Sequence, residues 1–376
     1  MKKNKFSILI LLLATAALGC AQTTIEIVNQ YPFDRADEIV EIAASELGGL
    51  SGTNYVLTDE SGQEIPYQLI YNGTEKIQSL IFPTTVKTGT KVVYTLNAGT
   101  PKAVKAKTSA RFVPERKDDF AWENDIAAYR MYGPALAAEN ASNGVDLWLK
   151  RTEELVVDSF YRGELKYGKS YHEDHGQGLD CYKVGNTLGA GGFAPYVNGE
   201  LLVGKHFDTY KVLDNGPLRS SFTLTYNEID INGKKYKQEV TIHTDAGTVM
   251  NKAVVKLDGE KQPMQLAAGI TLHDGKGSLQ KGTGLIVYGE NAIADKDQKN
   301  VGRNYVGVVL PDKEDLYKIQ NLHALLMKNY VPGEEFTYYF GGGWSQWKFP
   351  TQKEWLAAVQ QFSKQVKYPL TVRIVK

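Results

Sequence analysis

Hydrophobic and polar positions alternate with a period of two along most of this chain, the pattern of strands with one face buried and one wet. Runs of this kind come early and short: Ile25–Val28, Glu38–Ala43, Tyr55–Thr58, Ser79–Phe82 and Lys91–Leu96. Turn chemistry separates them at Gly48-Gly49, Ser61-Gly62, Asn72-Gly73 and Lys87-Thr88-Gly89. That spacing predicts an antiparallel β-sandwich over residues 22–106. Thr100–Thr108 (TPKAVKAKT) has small residues, lysines and a proline but no apolar period, and reads as a linker.

From residue 109 to residue 376 the alternation resumes on a larger scale. Phe222, Leu224 and Tyr226 alternate with Ser221, Thr223 and Thr225, and Asn232-Gly233 turns the chain into Tyr236–His243, a hairpin signal. Asp258-Gly259 is read in the same way, between Ala253, Val255 and Leu257 on one side and Ile270 and Leu272 on the other. One segment has a helical period. Thr351 and Glu354 form a capping box, and Trp355, Val359 and Phe362 follow as an apolar stripe. Pro369 ends that helix, and Leu370, Val372 and Ile374 alternate as a closing strand. The expectation is a mainly β chain: an N-terminal β-sandwich, then a larger β domain with one C-terminal helix.

Residues 1–21 are expected to stand outside this fold. Lys2, Lys3 and Lys5 precede an apolar run from Phe6 to Leu18 and the small residues Gly19, Cys20 and Ala21, which is an export signal too short to span a bilayer. Two cleavages fit: before Cys20, which would then be lipidated, or after Ala21. Either way an exported, periplasmic protein is expected, with Cys20 as its one candidate lipid anchor. The whole chain has 43 basic and 43 acidic residues, and losing the three leader lysines leaves a formal balance of −3. No basic stripe points to nucleic acid. Cys181 would be the only other thiol, which excludes an internal disulfide framework.

The richest chemistry lies in Tyr171–Gly192, YHEDHGQGLDCYKVGNTLGAGG. His172, Asp174, His175, Asp180 and Tyr182 gather ionisable groups beside a glycine-rich run, which reads as a site and not as a core element. They are the candidate catalytic residues. The plainer alternative is a solvated loop. Metal ligation by His172, Asp174 and His175 stays open, so a divalent ion is a candidate cofactor, although paired histidines in a loop are a weaker sign than on a helix. Arg130 and Tyr132 share one face of a strand just after Glu123 and Asp125, an arrangement suited to an acidic sugar, or else to a plain surface ion pair. Trp344 follows three glycines and is a candidate stacking platform. His243 and His273 end two strands alike, in HTDAG and HDG, and are expected to share a face opposite the core. With Arg130, Tyr132, Glu123, Asp125 and Trp344 they make up the candidate substrate-binding set. Neither glycine run matches a phosphate or dinucleotide loop, and no nucleophile elbow is present.

The segments VNQYPFDRADEIVEI, EIPYQ, WENDIAAYRMYGPAL, YHEDHGQGLDCYKVGNTLGAGG and FTYYFGGGWSQW resemble a family of exported Bacteroidetes proteins classed as a domain of unknown function. Members occur among polysaccharide-utilisation genes, pectin-related ones included. The second domain is similar in size and strand content to the galactose-mutarotase-like supersandwich of several carbohydrate enzymes. The resemblance implies an enzyme acting on acidic, uronate-containing oligosaccharides, as lyase or glycoside hydrolase. The alternative it leaves is a non-catalytic glycan-binding protein. It assigns no residue a role.

Overall fold

A computed structural model describes residues 22–52, 54–139, 142–293 and 301–375, and the leader read over residues 1–21 lies outside them. The chain is mainly β, as the alternation predicts, with helices only at Pro134–Leu136 (a single 3-10 turn), α1 (Val157–Tyr167) and α2 (Gln352–Lys367) among the described residues.

The early strands form two facing sheets. Thr23–Val28, Lys91–Ala98 and Tyr55–Asp59 lie in one, and Arg35–Ala43, Ser79–Val86 and Gln68–Ile70 in the other. Ile25, Ile27, Leu57, Leu80 and Phe82 fill the space between them. The closing strand Thr371–Val375 is antiparallel to Thr23–Val28, so the chain ends in the first module although it sits at the end of the second stretch. Its alternation is right but its partner is unreadable from sequence, because Leu370, Val372 and Ile374 complete a core begun 340-odd residues earlier.

Three further sheets form the second, sandwich-like module. The eight-stranded sheet includes Arg219–Ile231, Lys234–Asp245, Asn251–Asp258 and Phe336–Trp344. Its inner face packs on a five-stranded sheet running from Ser109–Val113 to Gly178–Asp180, through aromatic contacts such as Trp122 with Phe222 and Phe340. A second five-stranded sheet, with Met264–Thr271 and His323–Tyr330 near its centre, adds Leu266, Ala268, Ile270 and Leu326 to the same core. Asn232-Gly233 makes the expected hairpin with both residues at positive φ. Asp258-Gly259 does not: the strands it separates lie in different sheets, so the apolar runs on either side face a shared core across a crossover.

The glycine runs are packing devices. Gly191, at φ +140°, would place a Cβ 2.3 Å from the Cβ of Phe340, and a Cβ on Gly342 would lie 2.4 Å from the Leu147 side chain. Both are buried where sheets approach closely, contrary to the expectation that the glycine-rich run ending at Gly192 is shaped for a site and not for burial. Helix α2 caps as expected, with both halves of its Thr351/Glu354 box formed, and lays Trp355 and Val359 on the large sheet.

Candidate functional site

Strand alternation places the site. Ala121 pairs with Arg130, Arg130 with Asp146, and Trp148 with Asp180, so these side chains share one face of the first five-stranded sheet. The opposite face carries Phe120, Trp122, Tyr129 and Met131 into the main core. Ordinarily the outer face of such a sheet meets water. Here α1 and the segment from Tyr171 onward cover it, with Val157, Phe160, Tyr161 and Tyr171 packed over Ala121, Ala128 and Trp148.

Under this cover Arg130 is only 4 % exposed. Its Nη2 lies 2.7 Å from Asp146 and 2.8 Å from Asp180, its Nη1 3.6 Å from Asp119, and Nε donates to Asp146 at 2.9 Å. The guanidinium also sits over Trp148 and Tyr132, both with rings centred 5.2 Å away. A second arginine, Arg116, donates from Nε to the Tyr171 hydroxyl at 3.0 Å. Three carboxylates face two guanidinium groups, and burial charges for the excess. Burial pushes the Asp119 carboxyl up to about 7, only partly offset by Arg130 and Arg116. Asp180 is raised well above the usual carboxylate range by burial and by Asp146. The cage therefore holds a proton near neutrality.

His172 stands at the edge of the cage. Its ring lies 4.5 Å from that of Tyr171 and is 38 % exposed at the side chain. Nδ1 is 2.8 Å from the Asp180 carbonyl oxygen, an acceptor only, so Nδ1 is the donor of that bond. The Asp180 carboxylate lies behind, 3.6 Å from Nδ1. His175 is fixed differently, with Nε2 donating to the Ser170 carbonyl at 2.9 Å. Asp174 is engaged by the amides of Gly176 and Gly178 and by Arg151, 2.7 Å away. The candidate metal ligands His172, Asp174 and His175 thus face different partners and do not converge on one point, and among the described residues no group of three such side chains is arranged for a metal ion.

Tyr182, two residues past Asp180, packs in the main core and has a buried hydroxyl with no hydrogen-bond partner. Burial, Glu290 and Asp146 keep its phenol protonated far above the ordinary tyrosine range. Its ring meets that of His273 edge-on at 4.9 Å. His273 lies between two acceptors, the Glu290 carboxylate at 2.5 Å and the Lys183 carbonyl at 2.7 Å, which only an imidazolium satisfies. Although burial opposes that charge, Glu290 raises the histidine above its usual value.

The remaining candidates lie elsewhere. Glu123 is buried, accepts the Val156 and Val157 amides at the start of α1, and pairs with buried Lys150 at 2.9 Å. Asp125 accepts the Gly247 amide and meets Lys107. Both are structural rather than open to a ligand. Trp344 is 2 % exposed, donates to the Val301 carbonyl and is covered by Arg151, 4.6 Å away, so it offers no stacking face. Arg130 has no free fork either, since carboxylates already saturate it. His243 and His273 share no face: His243 belongs to the eight-stranded sheet, whereas His273 follows a strand of the other sheet. Asp119, Asp146, Arg116 and Glu290 went unnoticed in the sequence. Asp119 and Asp146 had a signal, each being an acid within a strand buried at every position.

Fold and site together define a two-module β protein with a buried arginine–carboxylate cage beneath a helical cover. Residues 27–372 match the family described as "Domain of unknown function (DUF4861)", and the chain belongs to that family. It is 30 % identical over 400 residues to uncharacterized protein P7 of Formosa agariphila, covering 98 % of this chain and all of that one. Among solved structures it is similar to an alpha-mannosidase from Enterococcus faecalis V583 (TM-score 0.51, 10 % identity, 94 % of this chain and 46 % of that one). A protein in the glycosyl hydrolase family 38 from Enterococcus faecalis gives the same score and identity, over 94 % and 47 %. The chain spans about half the length of those two, and at such identity the likeness is one of fold.

Proposed function

We propose that this protein is an exported carbohydrate-active enzyme that cleaves uronate-containing oligosaccharides by β-elimination at the rim of the cage. One observation carries the reading. His172 is oriented by its Nδ1 bond to the Asp180 carbonyl, which leaves Nε2 as the ring nitrogen for proton transfer, and its ring is half-exposed above a buried charge network. An oriented imidazole with a free nitrogen is what abstraction of the proton beside a sugar carboxylate requires. The carbohydrate class draws support from the fold shared with the mannosidase and the family 38 protein.

Arg116 takes the role that Arg130 is too enclosed to fill. Its Nη1 is buried without a partner, and its Nε shares the Tyr171 hydroxyl with Arg130. A uronate carboxylate resting against Arg116 has its charge offset and its neighbouring C–H acidified. His172 Nε2 takes that proton, the glycosidic C–O bond one carbon further breaks, and the departing oxygen takes a proton from water at the rim. Elimination fits better than hydrolysis because the carboxyls with raised affinity for a proton, Asp119 and Asp180, are 0 % and 2 % exposed inside the cage.

The test is incubation with a panel of uronate oligosaccharides, followed by mass spectrometry and ultraviolet absorbance. Products carrying an unsaturated uronate and no added water support elimination. Products heavier by water mean hydrolysis, and bound but intact glycan means a binding protein. Export belongs to the same reading: Cys20→Ser should release the protein from membranes if Cys20 is its anchor, whereas an unchanged soluble periplasmic pool would place cleavage after Ala21.

A further inference from the structure

A cavity of about 580 Å³ lies well away from the His172 rim, where the N-terminal sandwich, the outer face of the eight-stranded sheet and α2 meet. Its floor is set by register. His243 pairs with Lys252, and Lys252 with Tyr339, so three neighbouring strands present imidazole, ammonium and phenol side by side. One wall is the N-terminal strand Arg35–Ala43 with Glu41, and the other is α2 with Gln361, Phe362 and Gln365.

The charges here are largely spent. Arg219 grips Asp245 through two bonds of 2.6 and 2.9 Å and Glu41 at 2.5 Å, and Arg35 holds Glu38 at 2.6 Å. What remains without a hydrogen-bond or ion-pair partner among the described residues is His243, Lys252 and the Tyr339 hydroxyl. Burial, with Arg219 close by, drops His243 to about 4. At neutral pH it is therefore uncharged, one ring nitrogen donating and the other accepting. Tyr339 and Phe362 meet edge-on at 5.1 Å and supply apolar ring surface beside these groups.

We propose that this cleft is a binding site for a neutral oligosaccharide of about two sugar rings, distinct from the elimination site. Its volume falls within the roughly 300–1,000 Å³ of small-molecule sites. Unspent donors and acceptors beside aromatic carbon match the alternating hydroxyls and C–H faces of a pyranose. An acidic sugar suits it less, since Asp37, Glu38, Glu41 and Asp245 line the cleft against Arg219 and Lys252. Because both modules form its walls, the sugar bridges them. The site does not depend on elimination chemistry at His172.

Calorimetric titration of the full chain with cellobiose, maltose and mannobiose, and with a uronate disaccharide as control, tests the assignment. At least one neutral disaccharide should bind with a Kd below about 1 mM and raise the melting temperature. His243→Ala and the exposed Lys252→Ala should each weaken that binding about tenfold or more, while His172→Ala leaves it unchanged. The proposal is overturned if no neutral disaccharide binds, if Lys252→Ala and a folded His243→Ala bind as tightly as the parent, or if His172→Ala abolishes the binding.

Discussion

Replacing Arg130 with methionine removes the guanidinium that all three buried carboxylates contact, leaving only Arg116 nearby, while keeping a flexible side chain of similar length. Asp146 and Asp180 lose contacts of 2.7–2.9 Å and Asp119 one of 3.6 Å, beneath Trp148, Tyr161 and Tyr171. Breaking a buried pair by removing one partner costs roughly 3–5 kcal/mol. At about 2–4 °C per kcal/mol for a domain of this size, the melting temperature should fall by roughly 6–20 °C at pH 8. The stranded carboxylates are relieved by protonation, and each proton held by the folded but not the unfolded chain contributes about 1.4 kcal/mol per pH unit. The deficit should therefore shrink between pH 8 and pH 5. Thermal melts by circular dichroism at both values, with Arg151→Met as a more exposed control, read this directly. A drop under about 2 °C, or a deficit that grows toward pH 5, would refute the idea that Arg130 is chiefly a counter-charge.

Asp119→Asn should change the pH dependence of stability. With a folded carboxyl near 7 against an ordinary 3.8, the folded chain keeps a proton that the unfolded chain releases, so this residue stabilises in acid and that stability is lost as pH rises from about 4 to 7. The Asn variant should gain on the parent over that window in matched melts, and a constant difference would count against the cage geometry. Glu123→Ala should cost about 3–5 kcal/mol, since it leaves Lys150 buried without its carboxylate and strips the cap from α1; loss of helical protection in hydrogen exchange over Val157–Tyr167 is the direct readout. Gly191→Ala should be more harmful than an exposed Gly→Ala, because its Cβ collides with Phe340 at a φ that L residues avoid; equal stability in denaturant titration would contradict that.

Much of the fold was legible because alternation is a local signal. The strands, the Asn232-Gly233 hairpin and the α2 capping box each announce themselves within a few residues. Helix α1 did not, since Val156 at its start has no capping side chain and its first amides are satisfied by Glu123, 33 and 34 residues earlier. The site was half legible. Arg130 and Asp180 share one sheet face with Tyr132 and His172 beside them, because ionisable residues clustered around Tyr171–Gly192 and the second strand pattern, whereas Tyr182 packs into the main core. Their division of labour was not legible: only pairing shows that Asp146 stands beside Arg130 and saturates it, and only the crossover of sheets separates His243 from His273. Trp344 and the glycines misled because close packing and ligand binding use the same residue types.

The central claim is that His172 Nε2 is the base, and single-turnover kinetics with a separate binding measurement test it most directly. On a uronate oligosaccharide cleaved by the parent, His172→Ala should lower the rate of unsaturated-product formation by roughly 10² or more. Its affinity for the intact glycan and its melting temperature should stay close to those of the parent, whereas Arg116→Ala should weaken affinity first. A fully active, stably folded His172→Ala protein would contradict the account.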